Sequence, residues 1–142
     1  MLSDLSSLTP AHSLPWFPSF DVGDPRIDGE HRALVECANE LCSQASASVP
    51  TALLRRAGRE LIVLAEVHFE SEEALFPLIG YTDRQTHVRQ HLGILAGLES
   101  LMLHPIADTP SLAAATARLL LVEHIIRHDQ EFKCWIEAAQ EG

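Results

Sequence analysis

His68 and Glu72 stand four residues apart, and so do His87 and His91. On a helix that spacing places two side chains on one face, about one turn apart. Each pair extends an apolar stripe of helical period. Leu54, Ala57, Leu61, Leu64 and Ala65 lead into His68, and Ile94, Leu98 and Leu101 follow His91. Both pairs are therefore expected to point into an interior. There, unpartnered imidazoles and a carboxylate would be costly. A cation held by deprotonated ligands offsets that cost, because it supplies the compensating charge.

Two more segments add donors. His31 heads a stripe formed by Leu34, Ala38 and Leu41, and His124 is followed by His128 and Asp129. Spacing favours His128 as the partner of His124. Asp129 sits five residues on, about 140° around an ideal helix. Spacing alone leaves the two open. Imidazole with carboxylate suits iron, zinc, copper or manganese. Cys37, Cys42 and Cys134 lie at no ligand spacing with these groups, which argues against a structural zinc site. An odd number of cysteines without a CxxC pair reads as reduced thiols in a cytoplasmic protein.

The elements that must position these groups follow from the punctuation. Pro10, Pro15, Pro18, Gly23 and Pro25 make residues 1–25 an arm rather than a helix. The first helix is expected from Asp28, as its cap, to about Gln44. The second starts near Pro50 and is ended by Pro77 and Gly80. The third starts at Thr82 or Asp83 and stops at His104-Pro105. The fourth runs from Pro110 to about Ala139. No segment alternates with the period of a strand. The reading is an all-α, up-down-up-down antiparallel four-helix bundle with an N-terminal arm. Residues 1–15 are expected to be a tail and 16–142 the four-helix domain.

The 142 residues are 46% hydrophobic and 21% charged, which fits one globular domain. A net charge of −10 argues against nucleic acid and against anionic lipid. The first fifteen residues carry Asp4 and no Lys or Arg, so neither a secretory leader nor membrane insertion is expected.

Several stretches together resemble the hemerythrin family, in its single-domain bacterial form. They are Trp16, Asp21-Val22-Gly23, Ile27-Asp28-Gly29-Glu30-His31, Asn39, Leu41, His68-Phe69-Glu70-Ser71-Glu72-Glu73, Tyr81, His87, His91, His124-Ile125 and Asp129. The resemblance implies two non-haem iron ions with an oxo or hydroxo bridge. It gives His87, His91 and His124 to one iron and His31 and His68 to the other, which keeps an open position. Glu72 and Asp129 would bridge both, so the resemblance selects Asp129 over His128. A pairing five apart can be met where the helix is locally widened into a π turn. Leu34, Phe69, Leu120, Leu121 and Ile125 would line an apolar oxygen pocket.

The implied function is reversible dioxygen binding, for carriage, storage or delivery, and not enzymatic catalysis. The alternatives are an oxygen, nitric oxide or redox sensor, or a di-iron enzyme acting on peroxide or nitric oxide. The chain departs from the family at three places. Glu30 replaces the usual Gln and is expected to face water, Leu120 replaces a frequent Trp, and Thr82 replaces a common proline. His12 and His104 are expected to be solvated, and His128 exposed or behind the ligands. Gly93 and Gly97 are expected to mark a close helix approach, with Trp16 and Trp135 packing at the bundle ends.

Overall fold

Asp24, not Asp28, opens the first helix. Its carboxylate accepts the Ile27 N–H at 3.0 Å, and Pro25 occupies the first turn, where a missing donor is harmless. Asp28 is instead buried and accepts the Val22 and Gly23 N–H groups at 2.7 and 3.1 Å. It thereby folds the end of the arm back onto the helix. Gly23 makes that turn with a φ of 101°, a conformation that favours glycine.

The computed structural model describes residues 13–103 and 110–141. A short 3₁₀ turn at Pro18–Phe20 lies in the arm. Helix α1 spans Pro25–Ser46, α2 Thr51–Ile79, α3 Arg84–Leu103 and α4 Pro110–Glu123. The fourth helical segment then widens into a π turn at His124–His128, tightens into 3₁₀ at Asp129–Phe132, and ends as α5, Lys133–Glu141. The widening falls where pairing His124 with Asp129, five residues apart, requires it. His12 and His104 fall outside the described residues.

Pro77 does not end α2. It lies inside the last turn, and the helix runs on to Ile79 before the chain turns at Gly80 with φ 71°. Helix α3 begins just after Asp83, whose carbonyl accepts the His87 N–H at 3.2 Å. No strand occurs among the described residues. Helix α1 packs on α2 and α4, and α3 packs on the same two, so the four form a bundle around one axis.

Two apolar clusters fill that axis. The larger comprises Leu34–Ala45 positions of α1, Leu61–Phe69 positions of α2, Ile94 and Leu98 of α3, and Ala114, Ala117 and Leu121 of α4. The smaller gathers Val22, Ile27, Phe76, Tyr81, Phe132 and Ile136. The polar inward residues fall where the two sets meet. His31 lies between Ile27 and Leu34, His68 and Glu72 flank Phe69 and precede Phe76, and His91 precedes Ile94. The polar layer is therefore sealed on both sides by hydrophobic side chains. Each of those contributes roughly 1.5–3 kcal/mol when fully buried.

The arm is fixed by a small polar latch. Asn39 of α1 accepts the Leu14 N–H at 2.9 Å and donates to the Leu14 carbonyl at 3.0 Å. Buried Arg118 donates to the same Asn39 oxygen at 2.9 Å. Trp16 donates its indole N–H to Asp21 at 3.0 Å, with the Arg32 guanidinium 5.9 Å above its ring.

Candidate metal centre

The π turn sets the register of the fourth segment. The Asp129 N–H bonds to the carbonyl of His124, five residues back, which brings residues 124 and 129 onto one face. Asp129 is fully buried, whereas the His128 side chain is 34% exposed. His128 lies 3.3 Å from both Gln90 and Glu131, outside the polar layer.

His31, His68, Glu72, His87, His91, His124 and Asp129 come together in two overlapping groups. One holds His87, His91 and His124; the other holds His31 and His68; Glu72 and Asp129 belong to both. The oxygens divide accordingly. Glu72 Oε1 is 2.9 Å from His91 Nε2 and 3.9 Å from His87 Nε2. Its Oε2 is 3.4 Å from both His31 and His68 Nε2. Asp129 Oδ1 is 2.8 and 2.9 Å from His87 and His124, and its Oδ2 is 2.8 Å from His31.

His87 Nε2 and Asp129 Oδ1 are hydrogen-bonded at 2.8 Å, but proximity does not satisfy most of the other atoms. His31 Nε2 and Asp129 Oδ2 are close yet neither has a hydrogen-bond partner, and the same holds for His91 Nε2 and Glu72 Oε1. His68 Nε2, His124 Nε2 and Glu72 Oε2 are also orphaned. Ligands about 2.1 Å from one cation, at right angles, lie about 3 Å from each other. The shorter separations match that spacing, and the orphaned nitrogens and oxygens are the ones a cation would satisfy. The all-nitrogen-and-oxygen donor set suits iron, manganese, zinc or copper.

The electrostatics have the same logic. Burial, then the neighbouring Asp129, pushes the Glu72 carboxyl well above its usual range. Burial also acts on Asp129, but contacts to His124, His31 and His87 outweigh it and hold that carboxyl well below its usual range. Burial acts against charge on His31, yet Asp129 and Glu72 raise it. Burial, with His124 and His87 close by, lowers His91 to about 2, and burial likewise lowers His124. A neutral imidazole is a competent ligand without first losing a proton.

Two outer carboxylates orient the rings. The His68 Nδ1–H donates to Glu30 Oε1 at 2.8 Å, and the His91 Nδ1–H donates to Glu73 Oε2 at 2.8 Å. Those bonds turn each Nε2 lone pair inward. Glu30 therefore does not simply face water. Its other oxygen also accepts from Ser71 Oγ at 2.9 Å. Sequence reasoning gave Glu73 no role. The available signal was position: residues 30 and 73 each adjoin an inward residue, so their side chains flank the layer.

Leu34, Phe69, Leu121 and Ile125 are buried beside this layer. Leu120 is not with them. It is half-buried, 3.0 Å from where a Cβ on Gly97 would lie, and lines an outer cleft of about 250 Å³ with Gln90, Gly93, Ile94, Glu123, His124 and His128. The close approach expected of Gly93 and Gly97 exists at Gly97, whereas Gly93 borders the cleft.

A four-helix bundle with a sealed layer of imidazoles and shared carboxylates defines a cation-binding bundle. The chain belongs to the hemerythrin family: residues 22–136 match the hemerythrin HHE cation binding domain. It is 30% identical over 124 residues to a bacteriohemerythrin of Clostridium acetobutylicum, covering 82% of this chain and 96% of that one. It is 28% identical over 102 residues to a bacteriohemerythrin of Campylobacter jejuni subsp. jejuni, covering 72% and 76%. A hemerythrin-like protein of Naegleria gruberi is 28% identical over 118 residues, covering 83% and 89%.

Proposed function

We propose that this chain is a non-haem di-iron protein that binds dioxygen reversibly. The observation that carries the reading is the sharing of Glu72 and Asp129 between two donor groups, one with His87, His91 and His124 and the other with His31 and His68. In this assignment Glu72 and Asp129 would help hold both ions, together with an oxo or hydroxo group. The second group has one protein ligand fewer, which would leave a coordination position for a small molecule. The iron pair, when bound, supplies the electrons that hold dioxygen.

The chain's own residues do the rest. Glu30 and Glu73 hold the His68 and His91 rings in register. Leu34, Phe69, Leu121 and Ile125 exclude water beside the ligands and offer no side chain that could hand over a proton. That favours a binding role, for storage or delivery, over an enzyme. Three cysteines without a disulfide fit a reducing compartment, and no described helix is long and apolar enough to cross a membrane.

The test is elemental analysis of protein expressed with ample iron, followed by an optical spectrum of the anaerobically reduced protein before and after air. Two irons per chain and a charge-transfer band that appears and disappears reversibly are expected. One metal per chain overturns the di-iron reading. Immediate irreversible oxidation overturns the carrier and favours a sensor or enzyme.

A further inference from the structure

Glu30 stands directly behind His68, one of the residues of the two-histidine donor group. Its Oε1 accepts the His68 Nδ1–H at 2.8 Å, while its Oε2 is held by Ser71 Oγ at 2.9 Å and lies 3.4 Å from Arg26 Nε. The His68 side chain is 1% exposed and that of Glu30 22%, so the contact is largely shielded from solvent. An anionic acceptor forms a stronger hydrogen bond than a neutral one. A carboxylate on the far nitrogen of a ligating imidazole fixes its tautomer and raises its donor strength.

We propose that Glu30 is a positioning residue whose negative charge strengthens donation from His68 and so favours the oxidised state of the ion held by His31 and His68. The proposal rests on the di-iron reading. Stronger donation stabilises the higher charge of a ferric ion more than that of a ferrous one. A Gln at residue 30 keeps an acceptor oxygen at the same reach but removes the charge. The two side chains therefore position the ring alike and differ in electron donation. Ser71 acts one step further out, by holding the carboxylate in place.

The experiment compares wild type with Glu30→Gln, both loaded with iron and counted for metal, by anaerobic potentiometric titration and by the charge-transfer spectrum of the ferric protein with azide. In parallel, nitrogen NMR of the metal-free proteins reads the His68 tautomer. Glu30→Gln is expected to retain two irons, shift the midpoint potential to more positive values, move the azide band, and autoxidise several-fold more slowly. The Nδ1–H tautomer of His68 is expected in both proteins. An unchanged potential and an unmoved band in a two-iron variant overturn the charge effect and leave Glu30 as a steric support. Ser71→Ala covers the case in which Glu30→Gln fails to load. It leaves the carboxylate intact, so a smaller shift of the same sign supports the proposal and no shift overturns it. If wild type itself fails to hold two irons, the di-iron reading fails instead. The NMR comparison then still tests the Glu30–His68 hydrogen bond: a His68 protonated on Nε2 overturns it.

Discussion

The two halves of the metal layer are built differently. In the three-histidine half, His91 stacks on Phe69 at 3.9 Å and 8°, and His87 is edged by Phe76 at 5.0 Å, Phe132 at 5.4 Å and Tyr81 at 5.9 Å. Rings on several sides leave those imidazoles little freedom. In the two-histidine half, the ring contacts beyond His31 and His68 themselves are Trp16 at 6.1 Å and Phe69 at 5.8 Å. Trp16 belongs to the arm, held through Leu14 and Asn39. One half is thus rich in donors and clamped by aromatic packing. The other has fewer donors and is covered by a segment outside the bundle. A small ligand gains most where a protein donor is missing, so under the proposed function dioxygen would bind on the His31 and His68 side.

The residues common to both halves offer the largest test of this contrast. Under the proposed function, Asp129→Ala or Glu72→Ala is expected to take iron from two per chain to near zero, because each would remove a ligand from both ions. The accompanying stability loss would be about 4 kcal/mol if wild type is saturated a thousandfold. Thermal melts and metal analysis on the same samples check it. His128→Ala, which alters a side chain outside the layer, is expected to keep two irons.

A single half can be addressed next. Glu73→Ala removes the outer support of His91 and is expected to lower iron affinity about 10- to 100-fold, the usual cost of losing such a partner. Competition with a chelator measures this. Retention of one tightly held iron would show that the halves load separately, which sharpens the contrast. Equal weakening of both would blur it.

The clamped half also predicts a pH dependence in metal-free protein. His91 is held at about 2 when folded and returns to about 6.5 when unfolded. Between those values the unfolded chain takes a proton that the folded chain refuses. The stability present above 6.5 is therefore lost as pH falls, by about 1.4 kcal/mol per pH unit. His124 is shifted in the same direction. Urea unfolding of chelated wild type and of His91→Phe, from pH 7 to pH 5, should show the wild type falling more steeply by about that slope.

The smallest effect is expected at Leu120. Because it lines the outer cleft and abuts Gly97, Leu120→Trp fills space away from the two-histidine half. Overpacking against Gly97 would cost about 1–3 kcal/mol of stability, with dioxygen retention unchanged. Slower loss of dioxygen in that variant would move the pocket toward α3.

The four helices were legible because polar and apolar residues share one helical period on α1, α2 and α3, and because loops are marked by Pro50, Gly80 and Pro110. The helix start is not fixed by the sequence pattern, since capping chemistry suits Asp24 and Asp28 equally and burial decides between them. The fourth segment resisted reading for a deeper reason. A π turn has no propensity signature, and spacing on an ideal helix favours His128. Glu30 and Glu73 were obscure because a carboxylate beside an inward residue has the same sequence pattern whether it meets solvent or an imidazole.

The central claim is that two cations share Glu72 and Asp129. Anomalous diffraction at the iron edge, from crystals of the iron-loaded protein, tests it most directly. The account predicts two peaks between those carboxylates, one beside His87, His91 and His124 and one beside His31 and His68. A single peak, or iron bound at His128 with Asp129 turned away, would contradict it.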